Sequence, residues 1–189
     1  VVNNALSAFK QESGKKDFVD MIDDFISKGQ GPSLDVLIVD EAQDLVPMQW
    51  RMIYEVLRPR AKRIYYAGDD DQCIYSWMGV NVSDFLKASN NVELLRQSYR
   101  VPKTVHEEAD RLAGRLQIRK QKDWRSADHE GTVVWHHDIM DVDIRTGEWL
   151  ILARTNYIAN RIASRLKDDG YLFYREGWMV HLPKYFNCD

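Results

Sequence analysis

The sequence VLIVDEAQD, residues 36–44, is the most informative part of the chain about its fold. Its first four residues are apolar and mostly β-branched, which is typical of a β-strand. No polar residue alternates with them, and a strand that is apolar on both faces is typical of a parallel sheet covered by helices on both sides. The stretch therefore predicts a buried strand that runs directly into acidic residues.

Outward from this stretch, helices and strands alternate. An amphipathic helix is predicted over residues 17–27, with Asp17 as its N-cap, and another over residues 47–57, with Pro47 in its first turn. A second buried strand is predicted over residues 63–67 and ends at Gly68. The order strand, helix, strand with short connections indicates a βαβ unit and an α/β fold.

The rest of the chain continues the alternation, with a second α/β unit expected to start near residues 90–97. Helices are predicted over residues 82–88, after Pro102, and from Thr155 to Gly170, and residues 117–130 are predicted to form a surface loop. Further strands are predicted over residues 92–95, 132–136, 149–153 and 171–174.

Composition narrows the class of protein. The chain has 189 residues, of which 44% are hydrophobic and 29% charged, as in ordinary globular proteins. The net charge of -3 argues against a protein that coats nucleic acid by charge alone, although a local basic groove remains compatible with it. No apolar run is long enough for a membrane span. A cytoplasmic protein is expected, with Cys73 and Cys188 reduced.

Asp40 and Glu41 follow the first predicted strand. Ligands of open parallel sheets bind beyond the carboxyl ends of the strands. One carboxylate there can hold Mg²⁺, and its neighbour can orient or deprotonate a water molecule, as in the Walker B element of nucleotide hydrolases. The alternative is that both acids only form a turn and cap the next helix.

The second predicted strand leads into GDDDQCIYSWMG, residues 68–79. Gln72 can both donate and accept hydrogen bonds, which suits contact with a phosphate or with the attacking water. Tyr75 and Trp77 are candidates for stacking on a nucleic-acid base. The alternatives are a solvated acidic turn and two aromatic residues of the core.

Three motifs in order identify a resemblance. DEAQD (residues 40–44), GDDDQCIYSWMG (residues 68–79) and LLRQSYRVP (residues 94–102) resemble motifs II, III and IV of UvrD/Rep-type superfamily 1 DNA helicases. ILARTN, residues 151–156, resembles the motif that follows. The resemblance covers about residues 17–180.

The resemblance implies a RecA-like parallel sheet flanked by helices. Residues 1–92 are then the C-terminal part of a first RecA-like domain, and residues 93–189 the N-terminal part of a second. It also implies ATP hydrolysis in the cleft between two such domains, coupled to 3′–5′ translocation on single-stranded DNA.

Residue roles carried over from the family fall into two groups. For the site of ATP and Mg²⁺, the resemblance implies Asp40 as the metal ligand and Glu41 as the base beside that metal. It further implies that Gln72 and Arg100 contact the terminal phosphate and that Tyr99 lies near the adenine. Towards single-stranded DNA, it implies Trp77, Tyr75, Arg154 and Asn156. For Arg100 a plain surface role is the alternative, and for Asn156 a place in the first turn of a helix.

The chain also departs from the family pattern. Nothing reads GxxxxGK[ST], and the only Gly-x-Gly, residues 29–31, precedes a strand. Motifs V and VI are absent after Tyr174. Because the phosphate-binding loop holds the β- and γ-phosphates, we expect this chain alone to be inactive and to be the central part of a longer helicase that supplies the missing segments.

Two other function classes remain open on these residues. One is a non-catalytic DNA- or protein-binding module derived from a helicase, which the missing phosphate loop favours. The less favoured one is a nuclease that uses Asp40, Glu41 and residues 69–71 as a two-metal cluster.

Overall fold

The computed structural model describes residues 2–174. Cys188, whose thiol the sequence predicts to be reduced, lies outside the described residues. The chain divides after Val133 into two compact units. The domain boundary expected at residues 92–93 concerns the limits of RecA-like domains and stays a prediction.

The helices and strands follow the chain in the order α1 (Val2–Ser13), α2 (Phe18–Lys28), β1 (Leu34–Val39), α3 (Pro47–Met52), β2 (Ala61–Tyr66), α4 (Val82–Leu86), α5 (Lys103–Ala113) and α6 (Asn156–Asp168). No helix is predicted from the sequence over the range of α1. Between residues 2 and 174, every helix is too short or too polar to cross a lipid bilayer.

A parallel pair of strands forms the sheet of the first unit. Strands β1 and β2 run in the same direction, with Leu34 beside Ala61 and Val39 beside Tyr66. The connection between them contains α3, which continues as a π-helical turn over Ile53–Leu57. The predicted α/β class and its βαβ order are confirmed for this pair of strands.

The prediction that both strands are buried is wrong for the described residues. Only one face of the sheet is covered, and it presents Leu37, Val39, Ile64 and Tyr66 to the helices. On the other face Ile38 is 68% exposed. A strand that is apolar on both faces can be covered on both sides. The pattern does not show whether the chain contains elements that pack on both faces.

Trp50 lies at the centre of the core on the covered face. Its ring stacks on Tyr54 with centroids 5.5 Å apart and packs against Tyr66 at 5.6 Å. Ala42 and Ile53 are buried with it. Because burial of a large aromatic side chain contributes roughly 2–3 kcal/mol, this cluster holds the start of the β1–α3 connection firmly against the sheet.

Helix α2 begins where the sequence predicts. The Asp17 carboxylate accepts hydrogen bonds from the backbone N–H groups of Val19 and Asp20, and the Asp20 carboxylate accepts one from Asp17 N. Gly29 ends the helix in the left-handed conformation, with φ of 60°. This reciprocal capping box and glycine C-cap are why the pattern over residues 17–27 predicts the helix well.

The segment after α5 folds back along the chain that precedes α5. Arg125 N donates to Arg96 O at 2.6 Å, and Ser98 N donates to Arg125 O at 2.9 Å. Ala127 N donates to Val101 O at 2.9 Å. Residues 117–130 are therefore not only the surface loop that their polarity predicts.

The second unit contains α6, which Thr155 caps by accepting a hydrogen bond from Ile158 N. Gly170 follows the helix with φ of 81°, as predicted. The strand predictions over residues 132–136, 149–153 and 171–174, and the prediction over residues 92–95 in the first unit, are wrong for the described structure. A β-branched run becomes a strand only beside a hydrogen-bonded partner, and periodicity does not show whether a partner is present.

Candidate functional site

The carboxyl ends of β1 and β2 meet at one edge of the sheet. Ala67 N donates to Val39 O at 2.8 Å, and Ala42 N donates back to Ala67 O at 2.9 Å. The ladder thus continues one step beyond the strands, and the acidic residues that follow each strand begin at this edge. This is the place where open parallel sheets bind ligands.

Asp40 and Glu41 are both exposed at this edge. Asp40 Oδ1 accepts a hydrogen bond from Glu41 N at 2.9 Å. Glu41 has φ of 49° and ψ of 39° and is the only residue other than glycine with positive φ in the described chain. A side-chain-bearing residue in the left-handed region is strained, and such strain concentrates at functional sites.

Gln43 connects the two strand ends, and the sequence alone does not single it out. It is only 2% exposed. Its Nε2 donates to Glu41 Oε2 at 2.8 Å and to Asp44 Oδ2 at 3.3 Å, while its Oε1 accepts from Asp69 N at 3.0 Å. A buried amide that satisfies partners on two loops at once fixes their relative position.

Gly68 makes room for the Gln43 amide. A Cβ atom at position 68 would lie 2.3 Å from Gln43 Oε1 and 3.2 Å from Ala42 N. Any larger residue would have to displace the amide, so the close approach explains why this residue is glycine. The glycine after the second strand is the signal by which the role of Gln43 could have been found.

Gln72 completes a chain of hydrogen bonds that starts at Glu41. Gln72 Nε2 donates to Asp69 Oδ2 at 2.7 Å, and Asp69 N donates to Gln43 Oε1. The chain therefore runs from Glu41 through Gln43 and Asp69 to Gln72. It brings together predicted site residues from the two strand ends, and Gln72 remains exposed there.

The three aspartates at positions 69–71 are paired with basic residues, which the polarity of the turn does not predict. Lys122 Nζ forms ion pairs with all three carboxylates, at 2.7 Å from Asp70 and 3.0 Å from Asp71. The Arg119 guanidinium donates two hydrogen bonds to Asp71, at 2.8 and 2.7 Å. The alternative of a merely solvated acidic turn is therefore wrong.

Burial and pairing act in opposite directions on the ionisation of this cluster. Burial by itself raises the pKa of Asp69, but the hydrogen bonds from Lys122 and Gln72 outweigh it, and the pKa lies below the usual value. For Lys122, burial lowers the pKa, and the three carboxylates outweigh that effect and raise it. Both side chains therefore stay charged at neutral pH.

Tyr75 and Trp77 project from the loop after Gln72. Trp77 is 78% exposed and Tyr75 is 40% exposed. They are not core residues, so this alternative is wrong, and the rings are open for stacking. An exposed indole in the loop that follows this edge of the sheet has the chemistry of a base platform.

Tyr99 and Arg100 lie in an exposed turn before α5. Ser98 Oγ accepts hydrogen bonds from Arg100 N at 3.4 Å and from Val101 N at 3.1 Å. Within residues 2–174, no hydrogen bond or ion pair joins Arg100 to Asp40, Glu41 or Gln72. The structure therefore joins Glu41 and Gln72 but not Arg100, whose assignment stays a prediction.

Arg154 and Asn156 belong to the second unit, at the start of α6. Both are exposed, and Asn156 is the first residue of the helix that Thr155 caps. A place in the first turn of a helix is thus an adequate structural account of Asn156. Their predicted contacts with DNA stay predictions.

The donor set at the edge of the sheet fits Mg²⁺. Magnesium is bound in proteins through one or two carboxylates, with water and substrate phosphates as its other ligands. Asp40 and Glu41 supply two exposed carboxylates, and no group of three or more His, Cys, Asp or Glu side chains arranged to hold a metal occurs in the described residues. Two exposed carboxylates at this edge are of the donor type that Mg²⁺ takes in proteins.

The chain is similar to known DNA helicases. Residues 11–93 match the family described as UvrD/REP helicase N-terminal domain. The chain is 29% identical over 107 residues to ATP-dependent DNA helicase PcrA of Staphylococcus aureus (strain Mu50 / ATCC 700699), a similarity that covers 54% of this chain and 14% of that protein.

Two further relatives extend the similarity along the chain. It is 30% identical over 142 residues to ATP-dependent DNA helicase PcrA of Bacillus subtilis (strain 168), covering 72% of this chain and 19% of that protein. It is 25% identical over 195 aligned residues to ATP-dependent DNA helicase Rep of Buchnera aphidicola subsp. Baizongia pistaciae (strain Bp), covering 95% of this chain and 28% of that protein. The chain thus spans less than a third of each relative, and the similarities support a relationship to the UvrD-like helicases.

Proposed function

We propose that this chain is the central part of an ATP-dependent DNA helicase of the UvrD/Rep type. The observation that carries the proposal is the hydrogen-bond chain from Glu41 through Gln43 and Asp69 to Gln72, at the carboxyl edge of two parallel strands. A base and a phosphate-sensing amide that are fixed relative to each other at such an edge are what nucleotide hydrolysis requires.

Each residue at the edge has a proposed role. Asp40 holds Mg²⁺, with Glu41 beside it. When bound, the metal would neutralise charge on the phosphate oxygens. Glu41 accepts the proton of the attacking water, and Gln72 contacts the terminal phosphate. The strained backbone of Glu41 supports its role, because strain is retained where the side chain must point in one direction.

The second group of proposed contacts lies on the predicted second RecA-like domain. Arg100 stabilises the charge on the γ-phosphate, and Tyr99 lies near the adenine. A planar guanidinium can hold two phosphate oxygens at once. The exposure of both side chains supports these roles, since each is open to a ligand.

Single-stranded DNA is the proposed polymer substrate. Trp77 and Tyr75 stack on bases, and Arg154 and Asn156 contact the strand. Stacking allows binding without sequence specificity, because every base has a π-face. We further propose 3′–5′ translocation, action in the cytoplasm, and a need for the helicase segments that carry the phosphate-binding loop.

Hydrolysis is tested in a protein that carries this chain together with a phosphate-binding loop. Glu41→Gln keeps the shape of the side chain and one oxygen that can accept from Gln43 Nε2, but it removes the base. We expect ATP to bind with unchanged affinity and steady-state turnover to fall by about 10³-fold or more, since general-base catalysis contributes 10²–10⁴-fold.

The matched control is Glu55→Gln. Glu55 is exposed and pairs only with Arg51 in the described residues, at 3.0 Å. Its substitution should leave turnover unchanged. Turnover at the normal rate in Glu41→Gln would refute the assignment of the base.

The other two function classes make different predictions. A nuclease needs open carboxylate oxygens at residues 69–71, but Lys122 and Arg119 already occupy them, which disfavours that class. Cleavage of DNA with Mg²⁺ and no ATP would nevertheless favour it. Tight single-strand binding that never responds to ATP, even with a phosphate loop present, would favour a non-catalytic module.

A further inference from the structure

One segment contacts both of the regions that the proposed function assigns to the nucleotide. We name residues 119–129, which follow α5, the basic strap. At its start, Arg119 and Lys122 pair with the aspartates of residues 69–71. At its end, the backbone of residues 125–127 pairs with the backbone of residues 96–101, on both sides of Arg100.

The contacts at the start of the basic strap are buried. The side chain of Lys122 is 15% exposed and that of Asp70 is 6% exposed. Lys120 N also donates to Asp70 Oδ2, at 2.6 Å. Because the desolvation of buried ions offsets most of their attraction, such a cluster is weak evidence of stabilisation. Fixing one conformation is the role for which buried ionic groups are better suited.

The geometry around Asp69 shows what the cluster fixes. Asp69 Oδ1 accepts hydrogen bonds from Lys122 Nζ and, at 3.2 Å, from Asp71 N. The other oxygen, Oδ2, accepts from Gln72 Nε2 at 2.7 Å. Since the two oxygens belong to one planar carboxylate, the bond from Lys122 to the first oxygen orients the second towards Gln72.

We propose that Lys122 is a positioning residue for Gln72 and acts through the Asp69 carboxylate. The proposal rests on the proposed function for the role of Gln72 towards phosphate. The basic strap also pairs with the backbone on both sides of Arg100, so one segment contacts both of the loops that carry the predicted phosphate-contacting residues. If the domain boundary lies at residues 92–93, the buried cluster is a connection across it.

The test is the hydrogen exchange of the Gln72 side-chain amide in the 189-residue chain labelled with ¹⁵N. Lys122→Met removes the charge and retains most of the volume. We expect exchange at Gln72 to become about tenfold faster, because a hydrogen bond to a well-oriented charged acceptor is worth at least that factor. Lys122→Arg keeps the charge and should restore most of the protection.

Two controls separate positioning from general loosening. Lys103→Met makes the same chemical change at an exposed ion pair with Glu130 and should leave Gln72 unaffected. The Gln97 amide, which donates to Ser98 O at 2.8 Å and Ser126 O at 2.9 Å, is the internal reference at the other end of the basic strap. Equal acceleration at Gln97 and Gln72, or none at Gln72, would overturn the proposal.

A second variant covers the case in which Lys122→Met does not fold. Asp69→Asn keeps the oxygen that faces Lys122 and replaces the one that faces Gln72 with an NH₂ group, which cannot accept. We expect the same loss of protection at Gln72, and retained protection would overturn the proposal. The amide is measured without nucleotide, so this result stands independently of the Glu41→Gln test.

Turnover provides a further readout in a protein that also has the phosphate loop. A positioning residue should lower kcat for ATP in Lys122→Met and leave KM nearly unchanged, because the proposed effect of Lys122 is transmitted through Asp69 to Gln72. A purely structural role would instead lower the fraction of active protein and spare kcat per folded molecule. That outcome would count against the proposal.

Discussion

Glu41 has a backbone conformation that costs free energy for any residue with a Cβ atom. Its left-handed φ of 49° and ψ of 39° turn the chain sharply at the end of β1. In this conformation Glu41 Oε2 accepts a hydrogen bond from the buried Gln43 Nε2 at 2.8 Å. The strain is therefore coupled to the direction of the proposed base.

This strain can be measured by comparing Glu41→Gly with Glu41→Ala. Both variants lose the hydrogen bond to Gln43, but only glycine relieves the left-handed conformation. We expect the glycine variant to have a free energy of unfolding in urea about 1 kcal/mol higher than the alanine variant. Equal stabilities would show that the backbone at residue 41 is unstrained.

Trp77 is the residue on which the proposed DNA contact depends most. Its ring is 78% exposed, so its removal leaves no cavity in the core. Trp77→Ala should weaken single-strand binding by about 1–3 kcal/mol, the value of one base–aromatic stack. Fluorescence anisotropy of a labelled oligonucleotide measures this loss.

The matched control is Trp149→Ala, at a tryptophan of the second unit that is 53% exposed. Unchanged binding in Trp77→Ala would refute the stacking role.

At the scale of elements, the turn at residues 69–71 depends on the basic strap through charge. The pKa of Asp69 in the folded chain lies below its usual value, so its ionisation contributes stability above about pH 4. This contribution is lost as the pH falls through the depressed pKa. Stability that comes from the pair of Asp69 and Lys122 should therefore vanish in acid.

Urea unfolding of Lys122→Met and of the unsubstituted chain at two pH values tests whether this contribution to stability is lost in acid. The stability difference between them should be largest at about pH 7 and should narrow as the pH falls below the usual pKa of an aspartate, about 4, towards the depressed pKa of Asp69. Lys103→Met, whose ion pair is exposed, should differ little from the unsubstituted chain at either pH. A gap that stays constant with pH would show that Lys122 acts by packing alone.

The elements with local signals are those that the sequence predicts well. The Asp17 cap, Pro47 at the start of α3, and the Thr155 cap with Gly170 each satisfy or end a helix through neighbouring residues. The strand pair was predictable because its two runs are close in sequence and joined by a short helix. Unpaired runs such as residues 149–153 fail because a partner strand is not a local property.

In the candidate site too, the features with local sequence signals are the ones that the sequence predicts. The motifs predict roles for Asp40, Glu41 and Gln72, and the structure places Glu41 and Gln72 on one chain of hydrogen bonds. The Gln43 bridge and Lys122 were not predictable, because each depends on contacts between residues far apart in sequence. Lys122 lies more than 50 positions from Asp69 in the chain. Its polar surroundings predict only a surface loop, and nothing local indicates that it is buried against carboxylates.

At the scale of the whole molecule, the first unit contains the strand pair and the hydrogen-bonded part of the site. The match to the UvrD/REP helicase N-terminal domain covers residues 11–93, which include α2, both strands and the loop with Trp77. The similarity to Rep extends over 95% of the chain. The sheet face around Ile38 is exposed in the described residues.

We propose that Asp40 and Glu41 form a metal site at the edge of the sheet, connected to Gln72 through the hydrogen bonds of Gln43 and Asp69. Paramagnetic broadening by Mn²⁺, which takes the same oxygen ligands as Mg²⁺, tests it directly in the ¹⁵N-labelled chain. We predict selective broadening of the Glu41 backbone and Gln72 side-chain resonances, reversed by excess Mg²⁺. It should be abolished in Asp40→Asn and retained in Asp35→Asn, at the opposite end of β1. Broadening that spares Glu41 and Gln72, or that persists in Asp40→Asn, would refute the metal site.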